Sequence, residues 1–263
     1  MELGLKEKRA LVLAASRGLG YACALGLAHE GCNIAICSRS RDRIEAAAEE
    51  IREQTGATVH ALVCDVSNEE DVKEMVGAAI DRLGGLEIVV HNAGGPPSGP
   101  FGSITQEQWD QAVDQNLMSF VWLVQAAVPA MEEAGYGRIL AIASSSIKQP
   151  IPNLVLSNTM RTGVLGLAKT LSKELAPHNI LVNVIAPGRI ATERIDELDR
   201  AVAERRGTSV EEIRQASVES IPLGRLGQPK ELANMVVFLA SEAASYVTGT
   251  AIAVDGGKID ALQ

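Results

Sequence analysis

The sequence predicts an α/β protein, a single doubly wound parallel sheet of about seven strands with helices on both faces. Two observations carry that prediction. Short aliphatic and β-branched runs alternate with longer stretches of helical period along all 263 residues. The strand runs are apolar almost without interruption, as strands buried on both faces require. Alternation of this kind gives parallel strands joined by right-handed crossover helices. No repeat, linker or low-complexity segment breaks it, so residues 1–263 are expected to form one domain.

Taken in order, the strand candidates are Arg9–Ala14, Asn33–Cys37, Val59–Cys64, Leu86–His91, Gly137–Ala143, Ile180–Ile185 and Thr250–Val254. Helical spacing is clear over Arg43–Gln54, Asp71–Leu83, Gln108–Ala134 and Asn153–Leu175. Ser67-x-x-Glu70 and Thr105-x-x-Gln108 have the form of capping boxes, and Pro229 suits the first turn of the last helix. His91–Gly102, rich in Gly and Pro, must be a loop. Glu193–Arg214 carries a dozen charged residues, within a helical insertion over 189–228. Because it follows a strand's C-terminal end, where open α/β sheets bind ligands, it is expected to act as a mobile lid.

Composition narrows the function. The chain is 46% hydrophobic but only 3% aromatic, so Ala, Val, Leu and Ile must fill the core. That apolar fraction excludes disorder. A net charge of −9 and a shortage of stacking platforms argue against nucleic acid. The four cysteines lack C-x-x-C spacing and the four histidines form no ligand pair, so no metal is expected. No unbroken apolar run reaches the roughly 18 residues of a membrane span, and no signal-peptide pattern opens the sequence. A cytoplasmic protein acting on a small molecule is the expectation.

The first strand leads into Ala14-Ala15-Ser16-Arg17-Gly18-Leu19-Gly20 and then a helix. Backbone amides at such a helix start can approach a pyrophosphate where side chains do not obstruct it. The second strand ends in Ser38-Arg39. An acidic residue here would take the ribose of NAD, whereas Arg suits the 2′-phosphate of NADP. Arg17 adds a second positive charge. NADP is therefore expected over NAD.

With Asn92-Ala93-Gly94 after strand four and Asn183-Val184-Ile185-Ala186-Pro187-Gly188 after strand six, the whole chain resembles the short-chain dehydrogenase/reductase family. It is most similar to members that reduce 3-oxoacyl thioesters or sugars. The resemblance implies a Rossmann-like fold, NAD(P) bound across the carboxyl edge of the sheet, and a homo-oligomer built as a dimer of dimers. It further implies that Ala14, Ser16, Arg17, Gly18, Leu19 and Gly20 form the pyrophosphate turn. Asp65 and Val66 would hold the adenine edge, Asn92, Ala93 and Gly94 the adenosine ribose, and Pro187, Gly188 and Ile190 the nicotinamide. Ala14 stands where the family has Gly and His91 where it has Asn. Ala14 is expected to keep a negative φ, since a left-handed Ala costs about 1–2 kcal/mol.

The catalytic positions depart further. Asn116 and Ser144 match the family's Asn and Ser, but its Tyr-x-x-x-Lys reads Ser157-x-x-x-Arg161. Arg keeps the positive charge and has five donors. Ser lacks the reach of a phenol and the acidity that lets a phenol, at pKa about 10, be tuned towards working pH. Three readings stay open: an NADP-dependent carbonyl/alcohol oxidoreductase with a non-standard site, a nucleotide-binding protein with little catalysis, and a C=C reductase whose substrate supplies the acid.

Overall fold

The computed structural model describes residues 2–261. Seven strands, β1 (Arg9–Val12), β2 (Asn33–Ser38), β3 (Val59–Val63), β4 (Ile88–His91), β5 (Gly137–Ile142), β6 (Ile180–Pro187) and β7 (Ala251–Val254), form one sheet in the order β3-β2-β1-β4-β5-β6-β7. Every pairing is parallel. The strand order reverses beside β1, so the chain leaves β1 and β4 in opposite directions and opens a crevice above their C-terminal ends.

Strict alternation along the strands divides the core in two. Ala10, Val12, Ile34 and Ile36 face helices α1 (Gly18–His29), α2 (Arg41–Thr55) and α9 (Pro229–Ala240). Leu11, Leu13, Ala35 and Cys37 face α3 (Glu69–Leu83), α5 (Ser119–Ala134) and α6 (Val155–Glu174). Both layers are aliphatic; Phe120, Trp122 and Tyr136 are the buried Phe, Trp and Tyr residues among those described. All four cysteines are buried and unbridged.

Two helix predictions need correction. The Thr105 capping box is present, and so is Pro229 at the start of α9. The Ser67 box is not: Asn68 is the N-cap of α3, its side chain accepting from the Asp71 amide, while Ser67 turns back to Asp65. Asn68 wins because its amide oxygen reaches N3 from one residue later. The helix expected over Gln108–Ala134 begins at Gln106 as α4 (Gln106–Val113) and widens into a π-turn at Asp114–Met118 before α5. The charged insertion folds as α7 (Glu193–Arg206) and α8 (Val210–Glu219). No helix among the described residues is long and apolar enough to cross a membrane.

Candidate active site

A cleft of about 1370 Å³ runs along the C-terminal ends of the strands. Because all the strands are parallel, the segments following β1 to β6 all emerge there. Every predicted site residue lines it except Gly20 and Asn116. Eight cationic side chains and three acidic ones (Asp65, Glu193 and Glu197) also line it, reversing locally the charge of a chain that is −9 overall.

At one end, the turn after β1 brings Gly18 to φ 61° at the start of α1, with only the Thr192 methyl within 4 Å of where a Cβ would stand. Gly18 puts no side chain of its own at this helix start, whose backbone amides suit an anion. Gly20 does different work. A Cβ there would stand 2.5 Å from the Ala14 carbonyl oxygen and 2.9 Å from Asn92 Nδ2, so this glycine lets α1 press against the turn and does not face the cleft. Ala14 corrects the expectation of a negative φ: it sits at φ 48°, a strained conformation for Ala. Asn92 Nδ2 donates to the Ala14 carbonyl at 3.3 Å and helps hold it.

Arg39 follows β2 in an exposed position on the cleft, beside Ser38, whose hydroxyl donates to the Ser40 carbonyl at 3.1 Å. Arg17, the N-cap of α1, is ion-paired with Glu193 at the start of α7. The Asp65 carboxylate accepts from the Ser67 amide and hydroxyl, fixing the turn into α3 with Val66 on the cleft wall.

At the other end, Ser144 leaves β5 and its Oγ accepts from the Ser146 amide at 3.1 Å. Ser157 and Arg161 lie four residues apart near the start of α6, hence on one face. Arg161 is buried and spans two strand ends, donating to the Ile142 carbonyl at 2.8 Å and to the Ala93 carbonyl at 3.1 Å. Burial, then the nearby Arg194 charge, brings its pKa down to about 10, still protonated at neutral pH. Its Nε has no partner. Asn116 is buried in the π-turn, where its Nδ2 donates to the Gly94 carbonyl at 2.8 Å and its Oδ1 has no partner. Wide turns of this kind recur at functional sites. Pro187, Gly188 and Ile190 close the wall beyond β6.

No tyrosine stands in for the missing phenol. Tyr21 reaches Gln54 on α2, across the sheet from α6. The Tyr136 hydroxyl donates to the Ala240 carbonyl, its ring clasped by Lys8 and Arg138 before β5 begins. Tyr246 is fully exposed.

Of the cleft residues that the sequence did not single out, two bear on the site. Thr192 stands at the N-cap position of α7 without a side-chain capping bond, its methyl facing Gly18; its position five residues beyond Pro187 was the signal available. Arg194 reaches the loop after β4 but is hidden in sequence among a dozen charges of a surface-like insertion.

Residues 13–258 match the family described as enoyl-(acyl carrier protein) reductase. Among curated proteins, "Dehydrogenase/reductase SDR family member 4" of Sus scrofa is 37% identical over 98% of this chain and 89% of its own length. The 3-oxoacyl-[acyl-carrier-protein] reductase FabG of Aquifex aeolicus is 36% identical over 98% and 99%. Among solved structures, the L-sorbose reductase of Gluconobacter frateurii, complexed with NADPH and L-sorbose, superposes with a TM-score of 0.95 at 33% identity over the whole of both chains. With its motifs in order, its strand order and this coverage, the chain belongs to the short-chain dehydrogenase/reductase family.

Proposed function

We propose that this protein is an NADPH-dependent reductase of a small carbonyl compound, working with a hydroxyl pair in place of the family's phenol. The observation that carries the reading is the cleft: a helix start with unobstructed amides, Arg39 at the end of β2, and Ser144 and Ser157 on the opposite wall. The residues present fit the dinucleotide. Gly18 leaves open space where a pyrophosphate needs backbone approach, and Arg17 and Arg39 line the same cleft. NADPH supplies the hydride when bound. The solved sorbose reductase, similar over its whole length, binds that nucleotide.

In this reading Arg39, with Arg17, takes the 2′-phosphate, Ser16 to Leu19 the pyrophosphate, Ser38, Asp65 and Val66 the adenosine, and Pro187, Gly188 and Ile190 the nicotinamide end. Asn92, Ala93 and Gly94 line the ribose. Ser144 and Ser157 donate hydrogen bonds to the substrate oxygen. Arg161 cannot relay a proton, but its charge favours negative charge developing on that oxygen. A proton donor as weak as an aliphatic hydroxyl costs about 10²–10⁴-fold in rate. The insertion over 189–228 serves as the lid, residues 1–263 act as one domain, and four copies assemble in a reducing, cytoplasmic setting that suits four unbridged thiols.

The missing phenol also motivates a second reading, a nucleotide-binding subunit with little catalysis. Titration with NADPH and NADH, followed by NADPH oxidation over a carbonyl panel for wild type and Ser157→Tyr, separates them. Turnover by the wild type, faster in the tyrosine variant, supports the enzyme; turnover only in the variant supports the second reading. Failure to bind either nucleotide overturns both.

A further inference from the structure

Arg194 lies one residue inside α7, yet its guanidinium rests against the loop that follows β4. Its Nη2 donates to the Pro96 carbonyl at 3.0 Å. Gly95 makes room for it: a Cβ there would stand 2.8 Å from Nη2 and 2.9 Å from Nε. The head group thus rests on the cleft wall, half-buried. Arg161 lines the same cleft, and the Arg194 charge lies close enough to disfavour the charged form of Arg161.

Acids offset this pair only weakly inside the cleft. Asp65 is tied to Ser67 below the adenine end, and Glu193 is paired with Arg17. Glu197 touches Arg194 Nη1 at 3.3 Å, but both side chains are more than 40% exposed, where such a pair holds weakly. Arg161 spends its two hydrogen bonds on neutral carbonyls. The cleft that Ser144 and Ser157 line therefore carries positive charge that is only weakly offset, with N–H donors to spare.

We infer that the substrate carries a carboxylate, received by Arg194 while the substrate's reducible group meets Ser144 and Ser157. This rests on the reductase reading above and adds the substrate class. A single planar fork of donors matches the two oxygens of a carboxylate, and a guanidinium sheds water more readily than an ammonium does. Anchoring one end of a short oxo acid also fixes the orientation of the other, which a site short of a strong acid most needs.

The test titrates NADPH-loaded protein with short 2-oxo and 3-oxo acids and with their methyl esters, by calorimetry, and follows NADPH oxidation in the same mixtures. At least one acid should bind about tenfold or more tighter than its ester, the worth of a charge-assisted hydrogen bond. Arg194→Gln should erase that difference, raising KM for the acid far more than it lowers kcat, with NADPH affinity held within about twofold. Arg194→Lys should restore part of the preference. Acids that bind no tighter than esters, or an Arg194→Gln variant that weakens both alike, would overturn the inference while leaving the reductase reading intact. A wild-type protein that binds no NADPH overturns the reading beneath it, and the inference with it.

Discussion

Ala14 holds a left-handed backbone that costs Ala about 1–2 kcal/mol, because the turn into α1 needs it and Asn92 fastens its carbonyl. Ala14→Gly relieves that strain at some cost in unfolded-chain entropy. It should raise stability by up to about 1 kcal/mol, or a Tm gain of about 2–4 °C in a calorimetric scan; an unchanged or lower Tm would deny the strain. His91 is a second departure with a physical consequence. The Ser119 hydroxyl donates to the Gln115 carbonyl at 2.7 Å, so its oxygen accepts from His91 Nε2 at 2.8 Å, leaving Nδ1 bare and the ring neutral. Burial, with Arg161 nearby, pulls its pKa from 6.5 to about 3. The unfolded chain binds a proton there below pH 6.5 and the folded chain does not. Stability is therefore undiminished above 6.5 and falls by about 1.4 kcal/mol per pH unit as pH drops towards 3. His91→Asn, measured by denaturant unfolding across pH 7 to 4, should flatten that slope relative to wild type whatever its effect at neutral pH.

Helix ends decide several features at the scale of elements. Asn68→Ala, which removes the actual cap of α3, should cost about 1 kcal/mol in urea unfolding. Ser67→Ala should cost less in stability and instead loosen the Asp65 turn; a larger loss at Ser67 would revive the rejected capping box. The start of α7 reaches the start of α1 through Glu193 and Arg17, an exposed pair worth little to stability. Glu193→Gln frees Arg17 and should tighten NADPH binding a few-fold with Tm unchanged, a result read by nucleotide titration. The elements themselves were legible because the strands are short apolar runs separated by stretches of helical period, and two helices open on signals the sequence displays, Thr105 and Pro229. The π-turn at Asp114–Met118 was not, since its five residues carry no periodicity or Gly/Pro signal that separates them from ordinary helix. It is tertiary packing that widens the turn and buries Asn116.

For the whole molecule, the parallel sheet does the assembling. Residues from six separate loops converge only because all strands end on one edge, so motif order in the sequence translated directly into a cleft. The family resemblance located Ser144, Ser157 and Arg161, yet the use Arg161 makes of its guanidinium, clamping the ends of β4 and β5, depends on contacts 68 and 19 residues distant. Arg194 was illegible for the same reason, its partner Pro96 being 98 residues away. In the proposed reading this edge holds NADPH, selected by positive charge at the end of β2. Equilibrium titration of the protein with NADPH and NADH, for wild type and Arg39→Asp, tests it most directly. NADPH should bind the wild type about tenfold or more tighter than NADH, and the variant should lose that preference. Equal affinity for the two nucleotides in the wild type, or a preference that survives Arg39→Asp, would contradict it.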